Sequence, residues 1–291
     1  MKALIIGNGG REHALAWKIE QSSLVDKVFV APGNGGTALE EKIENINISV
    51  NDIDKLVSFA KEEKVDLTII GPEVPLSKGI VDTFIENKLK VFGPKKLAAQ
   101  LESSKDFAKS FMYRHQIPTA KYKTFTNIKD AHEYINKEGA PIVIKADGLA
   151  AGKGVIVAMN VKEAMVAVES MLEDNLFGDA GARVVIEEFL TGEEVSFIVI
   201  CDGNSILPLA SSQDHKRLLD SDLGPNTGGM GAYSPAPIVT KELHKKIITE
   251  IIEPTTEGMK KDGIEFTGFL YAGLMIDKEN NIKTLEFNCR M

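Results

Sequence analysis

Residues 142–155, IVIKADGLAAGKGV, decide how the rest of the chain is interpreted. They begin with a short apolar run typical of a buried strand, which ends at Lys145. Three glycines follow between Gly148 and Gly154, and residues without a Cβ let the backbone approach a ligand closely. With Lys153 among them, the loop combines backbone N–H groups and a cation, the chemistry of phosphate binding. Taken alone, this loop is equally typical of a tight hairpin turn with a solvated lysine.

The composition excludes several classes of protein. The 291 residues are enough for two domains, and the net charge of −8 argues against nucleic-acid binding, which needs a basic surface. Two cysteines make neither a disulfide framework nor a Cys-based zinc site. No apolar run has the length of a signal peptide or a membrane span. We therefore expect a cytoplasmic protein without membrane or nucleic-acid partners.

The N-terminus places a glycine turn between a strand and a helix. The apolar strand at residues 3–6 enters Gly7-Asn8-Gly9-Gly10-Arg11-Glu12, and apolar residues at helical spacing follow. A helix N-terminus after such a turn favours anions. Glu12 stands where a dinucleotide-binding motif has its third glycine, so a nicotinamide site is disfavoured. A plain strand-to-helix turn remains the alternative.

The alternation of strands and helices continues up to residue 103. Strands are predicted at 28–31, 65–70 and 89–92, and helices at 52–64 and 77–87. This order predicts a Rossmann-like α/β domain with a parallel sheet, whose ligands lie at the carboxyl ends of the strands. The loops 7–12, 32–36 and 71–76 lie at such ends. Glu73 is either a ligand contact or a solvated loop carboxylate.

Residues 104–192 are predicted to form a helix and then a small lid. Lys105 lies near the start of the helix, where a cation is unusual. Strands at 122–125, 142–145, 155–159 and 183–187, with helices at 127–137 and 160–172, predict an α+β lid over about 123–192. At the end of the last strand, the backbone groups of residues 187–190 can form hydrogen bonds with an adenine edge. The carboxylate of Glu194 can accept hydrogen bonds from ribose hydroxyls. Solvated carboxylates are the alternative.

The last hundred residues are predicted to form a second group of strands. Strands are expected at 195–201, 205–210, 267–276 and 282–288, with a helix at 240–253 that ends before Pro254. Residues 211–237 are predicted to be a long loop without regular structure. Glu286 and Asn288 share a strand face, and two such oxygen ligands suit magnesium, although a structural role is also open.

Together these motifs resemble the glycinamide ribonucleotide synthetase family (phosphoribosylamine–glycine ligases), which are ATP-grasp enzymes of purine biosynthesis. The resemblance covers all 291 residues and rests on motifs in the family's order: GNGGREHAL, PGNGGT, GPEVPL, IKADGLAAGKGV, EEFLTGEEVS, QDHKR, GPNTGGMGAYSP and LEFNCR. It implies a Rossmann-like domain over 1–103 and an ATP-grasp domain over 104–291.

The resemblance also implies roles for individual residues. ATP contacts would come from Lys105, Lys145, Gly152, Lys153, Gly154, Glu187, Glu188, Phe189, Leu190, Glu194, Arg217 and Asn226. Of these, Lys145, Arg217 and Asn226 would act in catalysis. Substrate contacts would come from Gly9, Gly10, Arg11, Glu12, Pro72, Glu73, Asp214, His215, Lys216, Gly228, Gly229 and Met230. Glu286 and Asn288 would hold Mg²⁺ or Mn²⁺.

The implied activity is ATP-dependent ligation of glycine to 5-phosphoribosylamine through glycyl phosphate, by a monomer or weak dimer. The family continues past Cys289-Arg290 with a Gly-Asp-Pro-Glu segment and a further domain, so a C-terminal domain is expected to be absent here. An inactive ATP-binding fragment is therefore one alternative. Another ATP-grasp carboxylate–amine ligase is the second.

Overall fold

The computed structural model describes residues 1–149, 154–173, 182–220 and 223–291. The N-terminal part is a parallel sheet in the order β3-β2-β1-β4-β5. Its strands are β1 (Lys2–Gly7), β2 (Lys27–Pro32), β3 (Ile43–Asn45), β4 (Leu67–Ile70) and β5 (Val91–Phe92). Both faces carry buried apolar side chains, because each central strand is apolar at successive positions. The predicted Rossmann-like α/β arrangement is confirmed.

Five helices accompany this sheet: α1 (Gly10–Glu20), α2 (Ile53–Glu62), α3 (Glu73–Lys78), α4 (Ile80–Glu86) and α5 (Gln100–Ser103). The single helix expected at 77–87 is wrong. A helix already begins at Glu73, and Gly79, with φ of +89°, separates it from the next. A left-handed residue ends a helix, and glycine adopts that conformation without a steric penalty. The loop predicted at 71–76 therefore shortens, and Glu73 lies in the first turn of α3.

The lid is an antiparallel sheet with two helices. Its strands are β6 (Tyr122–Phe125), β7 (Ile142–Ala146), β8 (Val155–Ala158) and β9 (Val184–Glu188), in the order β6-β9-β7-β8. The helices are α7 (Ile128–Glu138) and α8 (Val161–Leu172), which pack against the sheet over one apolar core. Helix α6 (Lys105–Arg114) precedes the lid. The predicted α+β unit is confirmed, with element ends within one or two residues of the prediction.

The second antiparallel sheet has the order β11-β10-β14-β15. Its strands are β10 (Glu193–Asp202), β11 (Ile206–Pro208), β14 (Thr267–Ile276) and β15 (Ile282–Asn288), packed on α6, α9 (Lys241–Ile247) and α10 (Glu253–Lys261). The predicted helix end before Pro254 is wrong. A π-helical turn at Ile248–Ile252 leads into α10, and Pro254 takes a first-turn position there, where a backbone N–H is not needed.

The predicted loop at 211–237 is also wrong over most of its length. It contains β12 (Gln213–Leu219) and β13 (Leu223–Tyr233), which pair antiparallel with two register shifts. The sequence of β13, LGPNTGGMGAY, has four glycines and a proline and lacks an alternating apolar pattern. Backbone pairing therefore builds this ribbon without the side-chain pattern by which strands are normally predicted.

Within the four described segments, no helix is long and apolar enough to cross a membrane. The division into domains at residue 103 is a prediction. The junction lies between α5 and α6, where Ser104 accepts the Phe107 N–H and so begins the second helix.

Candidate active site

One cavity lies where helices α3 and α5 of the N-terminal part, α6, the lid and β15 meet. Its polar lining comes from all four units: Glu73, Glu102, Lys105, Lys109, Lys145, Glu187, Glu286, Asn288 and Arg290. Gly148 and Gly154 line it from the two ends of the glycine loop. Several residues predicted from separate motifs therefore line the same space, although Glu73 and Asn288 are 215 positions apart in sequence.

Lys145 is placed by the pairing of two lid strands. It lies near the end of β7, and the register pairs Val143, on the same face, with Glu187 of β9. The Lys145 Nζ lies 3.0 Å from Glu187 Oε1, and Lys109 Nζ lies 2.8 Å from Glu187 Oε2. These three side chains are buried, so each charge depends on the others for compensation.

The electrostatics of this cluster follow from burial and pairing. Burial lowers the pKa of Lys109 to about 8, against the opposing effect of the Glu187 charge. Burial favours the neutral form of Glu187 as well, but the Lys145 and Lys109 charges outweigh it and lower the pKa of that carboxyl. Glu187 is therefore an anion, and the cluster carries an excess of positive charge toward the cavity when both lysines are protonated.

Lys105 is the first residue of α6. Its Nζ donates to the Gly148 carbonyl over 3.0 Å, so it lies beside the start of the glycine loop. Burial lowers the pKa of Lys105, and the nearby Glu286 opposes this. A cation is normally unfavourable at the positive end of a helix. Lys105 is tolerated there because the negatively charged Asp147 carboxylate accepts the Asp106 N–H over 3.2 Å at the same helix end.

Glu286 and Asn288 fit a divalent cation. They lie two residues apart on β15 and both line the cavity that Lys105 and Lys145 enter. Among the described residues, the Glu286 side chain makes no hydrogen bond or ion pair, and Asn288 Oδ1 accepts a hydrogen bond from Arg290 Nη2 at 3.3 Å. No cluster of three or more His, Cys, Asp or Glu side chains that could hold a metal occurs in these residues. A carboxylate and an amide oxygen suit Mg²⁺, which completes its shell with phosphate and water.

The N-terminal part of the chain reaches the cavity through Glu73, in the first turn of α3. Its Oε2 lies 3.1 Å from Arg290 Nε and 3.8 Å from Arg11 Nη2. Arg290 Nε also lies 3.0 Å from Glu102 Oε1. Pro72 is the residue before α3, so it sets the position from which Glu73 enters the cavity.

Glu12 lies deeper than its neighbours in the first glycine turn. Its Oε2 accepts the Gly9 N–H over 2.7 Å, and Oε1 is buried without a hydrogen-bond partner in the described chain. The side chain fills the space that Cβ atoms on Gly7 and Gly71 would occupy. It therefore occupies space in the turn where a pyrophosphate would approach, a physical reason to keep the prediction that disfavours a dinucleotide site here. Gly10, the first residue of α1, has open space around it.

The segment predicted to bind adenine follows β9. Glu188 is held by Lys283, with Nζ at 3.1 Å, and by the Lys121 N–H. Phe189 and Leu190 are half-buried, and in the described part of the chain their backbone groups form no backbone hydrogen bond. Glu194, predicted to hold the ribose, pairs instead with Lys216 at 2.7 Å.

None of the described residues of the β12–β13 ribbon lines the cavity that holds the lysine cluster. Arg217 pairs in register with Asn226 and donates from Nη1 to the Gly224 carbonyl over 2.8 Å, away from the described cavity lining. Asp214 lies 3.8 Å from Lys216, and His215 packs against the Tyr233 ring. Gly229 takes φ of +120°, and Met230 is exposed. Gly152 and Lys153, and the side-chain surroundings of Asn226 and Gly228, lie outside the described residues.

Sequence reasoning missed three residues that line the cavity, Glu102, Lys109 and Arg290, and the supporting pair Asp147 and Arg183 beside it. Lys109 had a usable signal, because it follows Lys105 by four residues on one helix face. Asp147 and Arg183 had none, since 36 positions separate them and only the pairing of lid strands brings them to 2.6 Å.

A Rossmann-like sheet followed by a lid and a second sheet, with lysines and oxygen ligands around one cavity, defines a nucleotide-binding protein of the ATP-grasp class. The family profile for the N domain of phosphoribosylglycinamide synthetase matches residues 1–102, and that for its ATP-grasp (A) domain matches residues 103–291. The chain belongs to the phosphoribosylglycinamide synthetase family.

Known relatives agree with this assignment. The chain is 65% identical over 291 residues to phosphoribosylamine–glycine ligase of Ralstonia nicotianae, and 64% identical over 290 residues to that of Escherichia coli K12. All of the chain is covered in both comparisons, and 68% of each relative. The crystal structure of the Thermotoga maritima phosphoribosylamine–glycine ligase has a TM-score of 0.83 at 34% identity, covering all of this chain and 69% of that one.

Proposed function

We propose that this protein ligates glycine to 5-phosphoribosylamine with ATP, forming glycinamide ribonucleotide, ADP and phosphate in purine biosynthesis. The observation that carries the proposal is the convergence of Lys105, Lys145, Glu286 and Asn288 on one cavity in a chain of this family. These residues supply cations for phosphate and oxygen ligands for a divalent ion.

The chemistry proceeds in two balanced steps. A glycine carboxylate oxygen attacks the γ-phosphorus of ATP, the bond to ADP breaks, and glycyl phosphate forms. The amine of phosphoribosylamine then attacks the acyl carbon, phosphate leaves and the amine loses a proton. Neither step requires a covalent bond to the protein, so positioning and exclusion of water are its main tasks.

Different residues of this chain position different parts of the nucleotide. Lys105 and Lys145 bind and orient the transferring phosphate, and we assign further phosphate contacts to Gly152, Lys153 and Gly154. The backbone at Glu187–Leu190 holds adenine, and Glu194 holds ribose after leaving Lys216. Mg²⁺ or Mn²⁺ held by Glu286 and Asn288 would offset phosphate charge. Arg217 and Asn226 would reach the phosphates of ATP only after a movement of the β12–β13 ribbon.

We assign the phosphoribosyl substrate to the N-terminal loops and the ribbon. Arg11 and Glu73 lie near one another at the cavity, and Gly9, Gly10 and Pro72 shape the same edge of the sheet. Glu12 acts by holding the Gly9 turn. From the ribbon, Asp214, His215, Lys216, Gly228, Gly229 and Met230 would face the substrate. We further propose a cytoplasmic monomer or weak dimer whose domains divide at residue 103.

The test is ADP release with Mg²⁺, glycine and freshly made phosphoribosylamine, omitting each in turn. The proposal predicts ADP only when both substrates are present, together with glycinamide ribonucleotide identified by mass spectrometry. ADP formation that continues with a different amine or acid in place of these substrates would indicate another carboxylate–amine ligase. ATP binding without ADP release would indicate an inactive nucleotide-binding chain and contradict the proposal.

A further inference from the structure

Lys109 is a buried cation to which the proposed reaction gives no role. It lies on α6, one turn after Lys105, and is 2% exposed. Its Nζ lies 2.8 Å from Glu187 Oε2 and also donates to Thr119 Oγ1 over 2.8 Å. Thr119 in turn donates to the Thr284 carbonyl over 2.7 Å, which fixes this arrangement to β15. Lys109 is therefore anchored from two directions.

Lys145 is held less firmly by the same carboxylate. Its Nζ lies 3.0 Å from Glu187 Oε1, but that oxygen has no partner of hydrogen-bond geometry among the described residues. Its hydrogen bond to the Leu285 carbonyl is long, at 3.3 Å. An ammonium group has three donors, so Lys145 keeps donor capacity toward the cavity that it lines.

The difference between the two lysines matters because Glu187 is 3% exposed and needs a cation at all times. If Lys145 were its sole partner, a phosphate would have to compete with Glu187 for that lysine. With Lys109 in place, Glu187 keeps a partner when Lys145 turns to another anion. The two lysines and one carboxylate leave one net positive charge for that anion.

We propose that Lys109 is a positioning residue that serves as the permanent counter-ion of Glu187 and so leaves Lys145 free to bind nucleotide phosphate. The inference rests on the proposed function for the assignment of Lys145 to phosphate. It adds to that function a residue, Lys109, which acts on Lys145 through Glu187 and does not contact the nucleotide.

Calorimetric titration of ATP and of adenosine into Lys109→Met tests the inference. Methionine fills similar volume without charge, so Glu187 takes Lys145 as its sole partner. ATP affinity is expected to fall at least tenfold, while adenosine affinity changes less than twofold. Lys109→Arg, which keeps the charge, should retain most of the ATP affinity. The matched control is Lys129→Met, an exposed lysine without described contacts, which should leave both affinities unchanged.

A double-mutant cycle separates this role from direct phosphate contact. In a Glu187→Gln background, adding Lys109→Met is expected to change ATP affinity less than twofold, because no carboxylate remains to recruit Lys145. Independent, additive losses would overturn the inference, as would an equal fall in ATP and adenosine affinity in Lys109→Met alone.

A second variant covers the case in which Lys109→Met does not fold. Lys109→Gln keeps a hydrogen-bond donor for Glu187 and Thr119 but removes the charge, and should weaken ATP binding more than adenosine binding. Equal weakening of both would contradict the inference. The titrations measure nucleotide binding and do not require ligation. A chain that binds ATP but forms no product would therefore contradict the proposed function, and this inference could still be tested.

Discussion

Ser104 and Asp147 join the start of α6 to the end of β7, with Ser104 Oγ donating to Asp147 Oδ1 over 3.1 Å. Asp147 also accepts the Asp106 N–H over 3.2 Å and receives Arg183 Nη2 at 2.6 Å. One buried carboxylate thereby fixes the two elements that carry Lys105 and Lys145. The spacing of the two proposed phosphate-binding lysines depends on this contact.

Asp147→Ala should therefore weaken both stability and nucleotide use. Loss of a buried carboxylate that accepts several bonds is expected to lower the free energy of unfolding by about 1–3 kcal/mol. The KM for ATP should rise several-fold, because Lys105 and Lys145 lose their common support. Urea unfolding and steady-state kinetics measure the two effects. Asp54→Ala, on an exposed turn of α2, is the control, and equal results for both variants would contradict this role.

Gly192 lies at the turn between β9 and β10, beside the segment proposed to bind adenine. Its φ is +154°, and a Cβ there would lie 2.3 Å from the Ile276 carbonyl oxygen. Backbone must move to admit a side chain, so Gly192→Ala should lower the free energy of unfolding by roughly 1–3 kcal/mol or more. Gly139→Ala is the matched comparison, because φ is also positive, at +80°, but the space is open. Equal losses in thermal or urea unfolding would refute the steric explanation.

The raised pKa of Glu102 predicts that the stability of the fold depends on pH. Burial raises the pKa of this carboxyl from 4.5 to about 7, despite Arg290 and the Cys289 N–H beside it, and Glu73 and Glu286 add to the rise. Between these values the folded chain holds a proton that the unfolded chain has lost, so stability falls as pH increases through that window. The free energy of unfolding falls by at most about 3 kcal/mol over the whole window.

Glu102→Gln should remove this slope. Glutamine keeps an acceptor for the Cys289 N–H, so the variant remains folded while the titrating group is gone. Free energies of unfolding at several pH values between 4.5 and 7.5 provide the measurement, with exposed Glu62→Gln as the control. An identical pH profile for Glu102→Gln and the unmodified chain would show that Glu102 titrates normally.

Glu286→Gln should raise the Mg²⁺ concentration needed for half-maximal activity by about tenfold. The amide replaces the one carboxylate of the proposed ligand pair, and magnesium favours charged oxygen. Activity measured against Mg²⁺ at saturating ATP checks this. Glu279→Gln, exposed in the turn before β15, should keep the original dependence. An unaltered requirement in Glu286→Gln would remove Glu286 from the metal site.

The regular parts of the fold were predictable because side-chain pattern and backbone pairing agree there. Strands β14 and β15 and the lid elements follow apolar patterns and caps such as Asn160, whose side chain accepts the Glu163 N–H. The β12–β13 ribbon was missed because its glycines pair through the backbone without an apolar pattern. Pro254 was misjudged because a π-helical turn converts it from an interior residue into a first-turn residue.

The candidate site was predictable where one motif supplies one ligand group. Lys105, Lys145, Glu286 and Asn288 were named from such motifs and line the same cavity, while their roles as ligands stay predictions. The residues that support them were not found, because Asp147–Arg183 and Lys109–Glu187 are contacts between distant segments. Such pairs become visible only when strand register and helix packing are known.

The central claim is that glycine's carboxylate is activated by phosphorylation in this cavity, and isotope transfer tests it most directly. Glycine labelled with ¹⁸O in its carboxylate is incubated with the protein, Mg²⁺, ATP and phosphoribosylamine, and the released phosphate is examined by mass spectrometry. Ligation through glycyl phosphate predicts one ¹⁸O atom in each phosphate released, and strongly reduced turnover in Lys145→Ala. Phosphate released without label would contradict the account.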